Sequence, residues 1–145
     1  MFVTDQQVPN SFINRAGIEL HRAERYRVFV SLTVLDLGFV KQVAGERFPS
    51  LMEKLSGTVQ SNIRACDYIA QLDDTRLGLL LPETSRQGAE IAVKRLSEVI
   101  RHNLSEVIHE DVREVIPVEI ASYPDTGGAK TLAGFLEELT IRSRN

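Results

Sequence analysis

From residue 10 onward the chain alternates between stretches with helical periodicity and short β-branched or leucine-rich runs. Ile13, Ala16, Leu20 and Ala23 recur at helical spacing behind Asn10, a good N-cap residue. They predict a helix that ends in the basic turn His21-Arg-Ala-Glu-Arg-Tyr-Arg27, which suits the negative end of a helix dipole. Gly17 weakens that helix by about 1 kcal/mol relative to alanine without ending it. Val28 to Leu35 switches to β-branched and apolar residues, which predicts a strand buried on both faces, and it closes at Asp36. Gly38 and Gly45 bracket one or two helical turns over 39–43. Phe48, Leu51, Met52, Leu55, Val59 and Ile63 share one face of a helix over 48–63, with Pro49 tolerated in its first turn.

Residues 64–82 predict two short strands around the polar turn Asp73-Asp74-Thr75-Arg76. The second strand is the run Leu77 to Leu81, which Pro82 ends because proline cannot donate to a ladder. Thr84-Ser-Arg-Gln87 reads as a capping box before a helix carrying Ala89, Ala92, Val93, Leu96, Ile100 and Leu104 on one face. Residues 105–112 are polar and acidic, a loop or a helix end. Val112 to Tyr123 predicts another strand, in which Pro117 calls for an edge position or a bulge. Pro124-Asp-Thr-Gly-Gly128 is a turn, and Thr131 to about Ile141 a last helix. Residues 1–9 read as a loose lead-in. No linker or repeat interrupts the rest, so residues 1–145 are expected to form one domain with helices packed on a mostly antiparallel sheet.

Composition narrows the function classes. A length of 145 residues with 43% hydrophobic and 26% charged side chains is enough for a core without disulfides or metals. The net charge of −3 argues against a general nucleic-acid binder, which needs a basic face. No apolar run approaches the ~18 residues of a membrane span, and the first residues lack a signal peptide's pattern, so a cytoplasmic location without a membrane partner is expected. The single cysteine, Cys66, fits a reducing compartment and reads as a small packing residue. His21, His102 and His109 lack the spacing of a zinc site, and there is no phosphate loop or serine elbow. No cofactor is expected.

Three segments together resemble the GGDEF domain, the nucleotidyl cyclase-like fold of diguanylate cyclases. His21 to Asp36 is similar to that family's helix end and first strand, Arg64 to Thr84 to its signature hairpin, and Ile120-Ala-Ser-Tyr-Pro124 to the end of a later strand. The resemblance spans roughly residues 11–136 and implies an α+β fold with a central, mostly antiparallel sheet flanked by helices. Family cyclases hold two divalent metals on GTP with an aspartate ending the first strand and with acids of the Gly-Gly-Asp/Glu-Glu-Phe turn. Asp36 matches the first. The turn here is Asp73-Asp74-Thr75-Arg76-Leu77, so side chains replace both glycines, and Thr75 and Arg76 replace the acids. The guanine-reading Asn-Asp pair becomes Ala44-Gly45. These positions are therefore degenerate, no metal site is expected, and diguanylate cyclase activity is not expected.

A second family feature is present. Many members bind the product, cyclic di-GMP, at an inhibitory Arg-x-x-Asp site ending five residues before the signature turn. Arg64-Ala-Cys-Asp67 stands in that register, and Arg95 falls where a further arginine completes the site. Guanidinium forks suit phosphate oxygens and guanine acceptors, and a carboxylate can accept from a guanine N–H edge. The resemblance thus implies an inactive bacterial signalling domain that binds cyclic di-GMP through Arg64, Asp67 and Arg95. The alternatives are a protein-interaction or dimerisation module without nucleotide binding, and a nucleotide cyclase of altered specificity using Asp36 with Asp73 or Asp74.

Overall fold

Every neighbouring pair of strands in the sheet is antiparallel, and the order is β2-β3-β1-β4. The computed structural model describes residues 10–109, 112–124 and 131–143. In chain order the elements are α1 (Asn10–Tyr26), β1 (Val30–Asp36), α2 (Gly38–Ala44) with a 3-10 turn Gly45–Arg47, α3 (Phe48–Gln60) and β2 (Tyr68–Gln71). β3 (Arg76–Pro82), α4 (Arg86–Ile108), β4 (Val118–Tyr123) and α5 (Leu132–Ser143) follow. This is the expected α+β architecture.

β1 and β3 are buried along nearly their whole length, Ser31 and Thr33 included, because both faces of the sheet are covered. Leu35, Leu77, Leu79 and Leu81 point into one layer with Phe48, Met52, Leu55 and Val59 of α3 and Ala89, Leu96 and Ile100 of α4. Val30, Leu32, Val34 and Leu80 point the other way, against Phe12, Ala16 and Ala23 of α1 and Phe135 and Leu139 of α5. The period of two along each strand assigns these faces. Burying a leucine fully on either side is worth about 1.5–3 kcal/mol, so the two layers carry most of the stability.

Several boundaries differ from expectation. β1 begins at Val30, and Phe29 is exposed. α3 ends at Gln60, short of Ile63. α4 continues to Ile108, through residues read as a loop or helix end, and His109 caps it in the left-handed region at φ 59°. Its N-cap is Ser85, whose Oγ accepts from Gly88 N at 3.2 Å; Thr84 is turned to another use. β4 starts at Val118, not Val112, so Pro117 precedes the strand and its carbonyl accepts from Asp36 N at 3.0 Å. The edge position expected from Pro117 is observed. Asn10 is the first residue of α1 rather than a cap. The lead-in 1–9 and most of the turn after Pro124 lie outside the described residues.

Candidate functional site

The expected ligand residues meet at the mouth of one open cleft. Between α3 and β2 the chain makes a tight turn, closed by Asp67 N donating to Arg64 O at 3.0 Å. Within it the Arg64 guanidinium forks onto the Asp67 carboxylate, Nη2 to Oδ1 at 2.8 Å and Nε to Oδ2 at 3.2 Å. Asp67 Oδ2 also accepts from Arg64 N at 2.9 Å. Asp67 is buried while the Arg64 side chain is 54% exposed, so the carboxylate is the anchor and the guanidinium faces solvent. The hydrogen bond to Asp67 raises the Arg64 pKa above its ordinary value, against a partial desolvation.

Arg64 also reaches the opposite wall. Its Nη2 donates to Pro82 O at 3.0 Å and to Thr84 Oγ1 at 2.7 Å. Thr84 in turn donates to Pro82 O at 2.9 Å. Behind this loop, Ser31 Oγ donates to Thr84 O at 2.8 Å, so in its 2.7 Å contact with Ser31 the Ser122 hydroxyl must be the donor. Arg95, on α4, lines the same cleft and donates from Nη1 to Asn62 O at 3.0 Å. The cleft encloses about 390 Å³, and Glu83 and Ile91 complete its lip.

At the far end of β3 the signature turn is closed by its own side chains. Asp73 Oδ1 accepts from Thr75 N at 3.0 Å and Arg76 N at 2.9 Å, and Arg76 Nε donates to Asp73 Oδ2 at 2.8 Å. Aspartate commonly folds a turn around itself in this way. Lys41 of α2 pairs with Asp74 at 2.6 Å. Asp36 Oδ1 accepts from Gly38 N at 2.8 Å, and Leu37 N donates to Thr75 O at 2.8 Å. A hard cation needs several oxygen donors. Here each carboxylate is engaged, and Lys41 and Arg76 bring positive charge to the same place, so these residues do not fit a pair of divalent metals. Among the described residues no group of three or more His, Cys, Asp or Glu is arranged to hold one.

No family model matches the sequence, and no curated protein does. Solved structures do match. The diguanylate cyclase SiaD of Pseudomonas aeruginosa, in complex with its activator SiaC, superposes with a TM-score of 0.71 at 19% identity, covering 96% of this chain and 54% of that one. The chain therefore spans about half the length of that SiaD chain. The GGDEF domain of YfiN from Pseudomonas aeruginosa gives 0.65 at 17% identity, covering 97% of this chain and 86% of that one. The active GGEEF domain of a Vibrio cholerae diguanylate cyclase gives 0.61 at 18%, covering 97% and 87%. The fold is that of a GGDEF domain.

Within this GGDEF fold the β2–β3 turn stands beside the end of β1, where the resemblance puts the metal and nucleotide, and the cleft lies at the opposite end of β3. Arg64 and Arg95 share that cleft. Asp67 is turned inward, with both oxygens occupied. Thr84 and Glu83 are not marked as site residues by the sequence pattern, in which the capping box claims Thr84. Their signal was Pro82-Glu83-Thr84 itself: two residues between a strand-ending proline and the Ser85 cap have to turn sharply beside Arg64. No helix among the described residues is long and apolar enough to cross a membrane.

Proposed function

We propose that this chain is a signalling domain that binds cyclic di-GMP at the Arg64 cleft without synthesising it. The observation that carries the reading is the contrast between the two ends of β3. At one end the carboxylates are neutralised by Arg76, Lys41 and main-chain N–H groups. At the other, two guanidinium groups border an open cleft, one of them fixed by a buried carboxylate. Asp67 then acts by holding Arg64 flat and charged, leaving the phosphate contacts to Arg64 and Arg95. The DgcB GGDEF domain of Caulobacter crescentus, solved in complex with cyclic di-GMP, shares the fold at a TM-score of 0.62 and 13% identity, which supports the choice of ligand.

Incubation of the purified chain with GTP and magnesium, followed by chromatography, is expected to yield no cyclic di-GMP. Added cyclic di-GMP is expected to raise the melting temperature, and GTP is not. Magnesium-dependent turnover of GTP, or the same thermal response to both nucleotides, would contradict the reading.

A further inference from the structure

We propose that the outer edge of β4 and the adjoining stripe of α4 form a two-fold interface between two copies of this chain, a surface separate from the cleft. β4 ends the sheet order, and no strand among the described residues pairs with its outer side. Asp36 N donates to Pro117 O, so in this segment the odd-numbered residues turn their main-chain groups toward β1. Val118, Ile120 and Ser122 therefore aim theirs outward. One of these acceptors is covered, since Arg86 Nη1 donates to Ile120 O at 2.9 Å. Exposed edges are usually blunted by lysine, proline or a bulge. Residues 118–123 contain no lysine or proline and pair with β1 in unbroken register; their single charge is Glu119.

Beside this edge, α4 and the segment leading into β4 border an open groove of about 330 Å³, with Val93, Val118 and Ile120 among its lining and Val115 79% exposed. Along the α4 wall the charges alternate: Arg86, Glu90, Lys94, Glu98, Arg101. That alternation selects the occupant. A partner of one charge sign meets attraction and repulsion in turn along the stripe. A second α4 laid antiparallel sets Arg86 against the partner's Glu98 and Glu90 against the partner's Lys94, and the two-fold repeats both pairs. One axis perpendicular to the sheet makes the two β4 edges antiparallel as well as the two helices. A helix of 23 residues is about 35 Å long, which gives the contact the reach of a stable interface.

Light scattering on the purified chain across the micromolar range tests this, and the expected mass is that of two chains. Glu90→Lys or Lys94→Glu alone brings like charges together and is expected to weaken association by about ten-fold or more. The combined Glu90→Lys, Lys94→Glu variant restores the pairing with signs exchanged and is expected to recover it. Both positions are exposed on α4, and circular dichroism checks that each variant folds. Arg64→Ala, in the cleft on a different face of α4, is expected to leave association unchanged, so this interface and the nucleotide site fail separately. A monomer at every concentration, or a dimer whose strength ignores these substitutions or does not recover in the combined variant, would overturn the proposal.

Discussion

Arg76 stands directly opposite Asp36 in the ladder between β3 and β1. The carboxylate that the resemblance assigns to a metal thus has a guanidinium as its cross-strand neighbour, and that guanidinium is drawn to Asp73 at 2.8 Å. The turn is built as a closed knot of charge and main-chain hydrogen bonds.

Asp73 should therefore matter for stability. Asp73→Ala removes two main-chain hydrogen bonds and the ion pair with Arg76, at an expected cost of about 2 kcal/mol. Asp73→Asn keeps an acceptor for Thr75 N and Arg76 N and should cost roughly half as much. Urea denaturation of both variants measures the difference.

Gly78 of β3 has the side chain of Leu72 where its own Cβ would be, with Leu72 Cδ2 at 2.9 Å and Cγ at 3.0 Å. Leu72 is fully buried and has little freedom to retreat. Gly78→Ala is expected to destabilise by about 1–3 kcal/mol. In a Leu72→Ala background the same change should cost less, a non-additivity that a double-mutant cycle reads directly.

Ser85 and Thr84 divide two roles that a capping-box reading gives to one residue. Ser85→Ala should lower stability by about 1 kcal/mol through loss of the N-cap, with little effect on the ligand. Thr84→Ala should leave the cap intact and weaken cyclic di-GMP binding, because Arg64 loses its 2.7 Å contact with the far wall. Thermal melts and ligand titrations on the two variants separate these outcomes.

Glu83 works against an anionic ligand. It lies at the cleft lip with φ of 51°, a conformation that costs a non-glycine residue about 1 kcal/mol, and it leans toward Arg22 of α1 at 3.8 Å. Glu83→Asn substitutes a residue that tolerates the left-handed region and removes a negative charge. The variant is expected to melt higher and to bind cyclic di-GMP about two- to five-fold more tightly, the scale of one screened charge.

The sheet and its two covered faces were legible because β1 and β3 are rich in β-branched and apolar residues: between Val30 and Leu35 only the small hydroxyl side chains of Ser31 and Thr33 interrupt, and Gly78 alone interrupts Leu77 to Leu81. The register of Arg64 and Asp67 with the turn was legible through the resemblance. Local polar geometry was not. Ser85 caps α4, while the Thr84 hydroxyl meets Pro82 O and Arg64, the latter twenty residues away in sequence. That Glu19 of α1 is buried beside Arg15 and Arg22 breaks the rule that charges mark the solvent face, and only the packed structure shows its partners. The inward turn of Asp67 belongs to the same class, since a sequence gives the residue but not which of its neighbours claims its oxygens.

Calorimetric titration of the wild-type chain and of Arg64→Ala with cyclic di-GMP decides whether the Arg64 cleft is a nucleotide site. The wild type is expected to bind saturably, and removing Arg64 to lower the affinity by about ten- to a hundred-fold, the scale of charged hydrogen bonds to phosphate. No heat at high micromolar ligand, or equal affinity in both proteins, would contradict it.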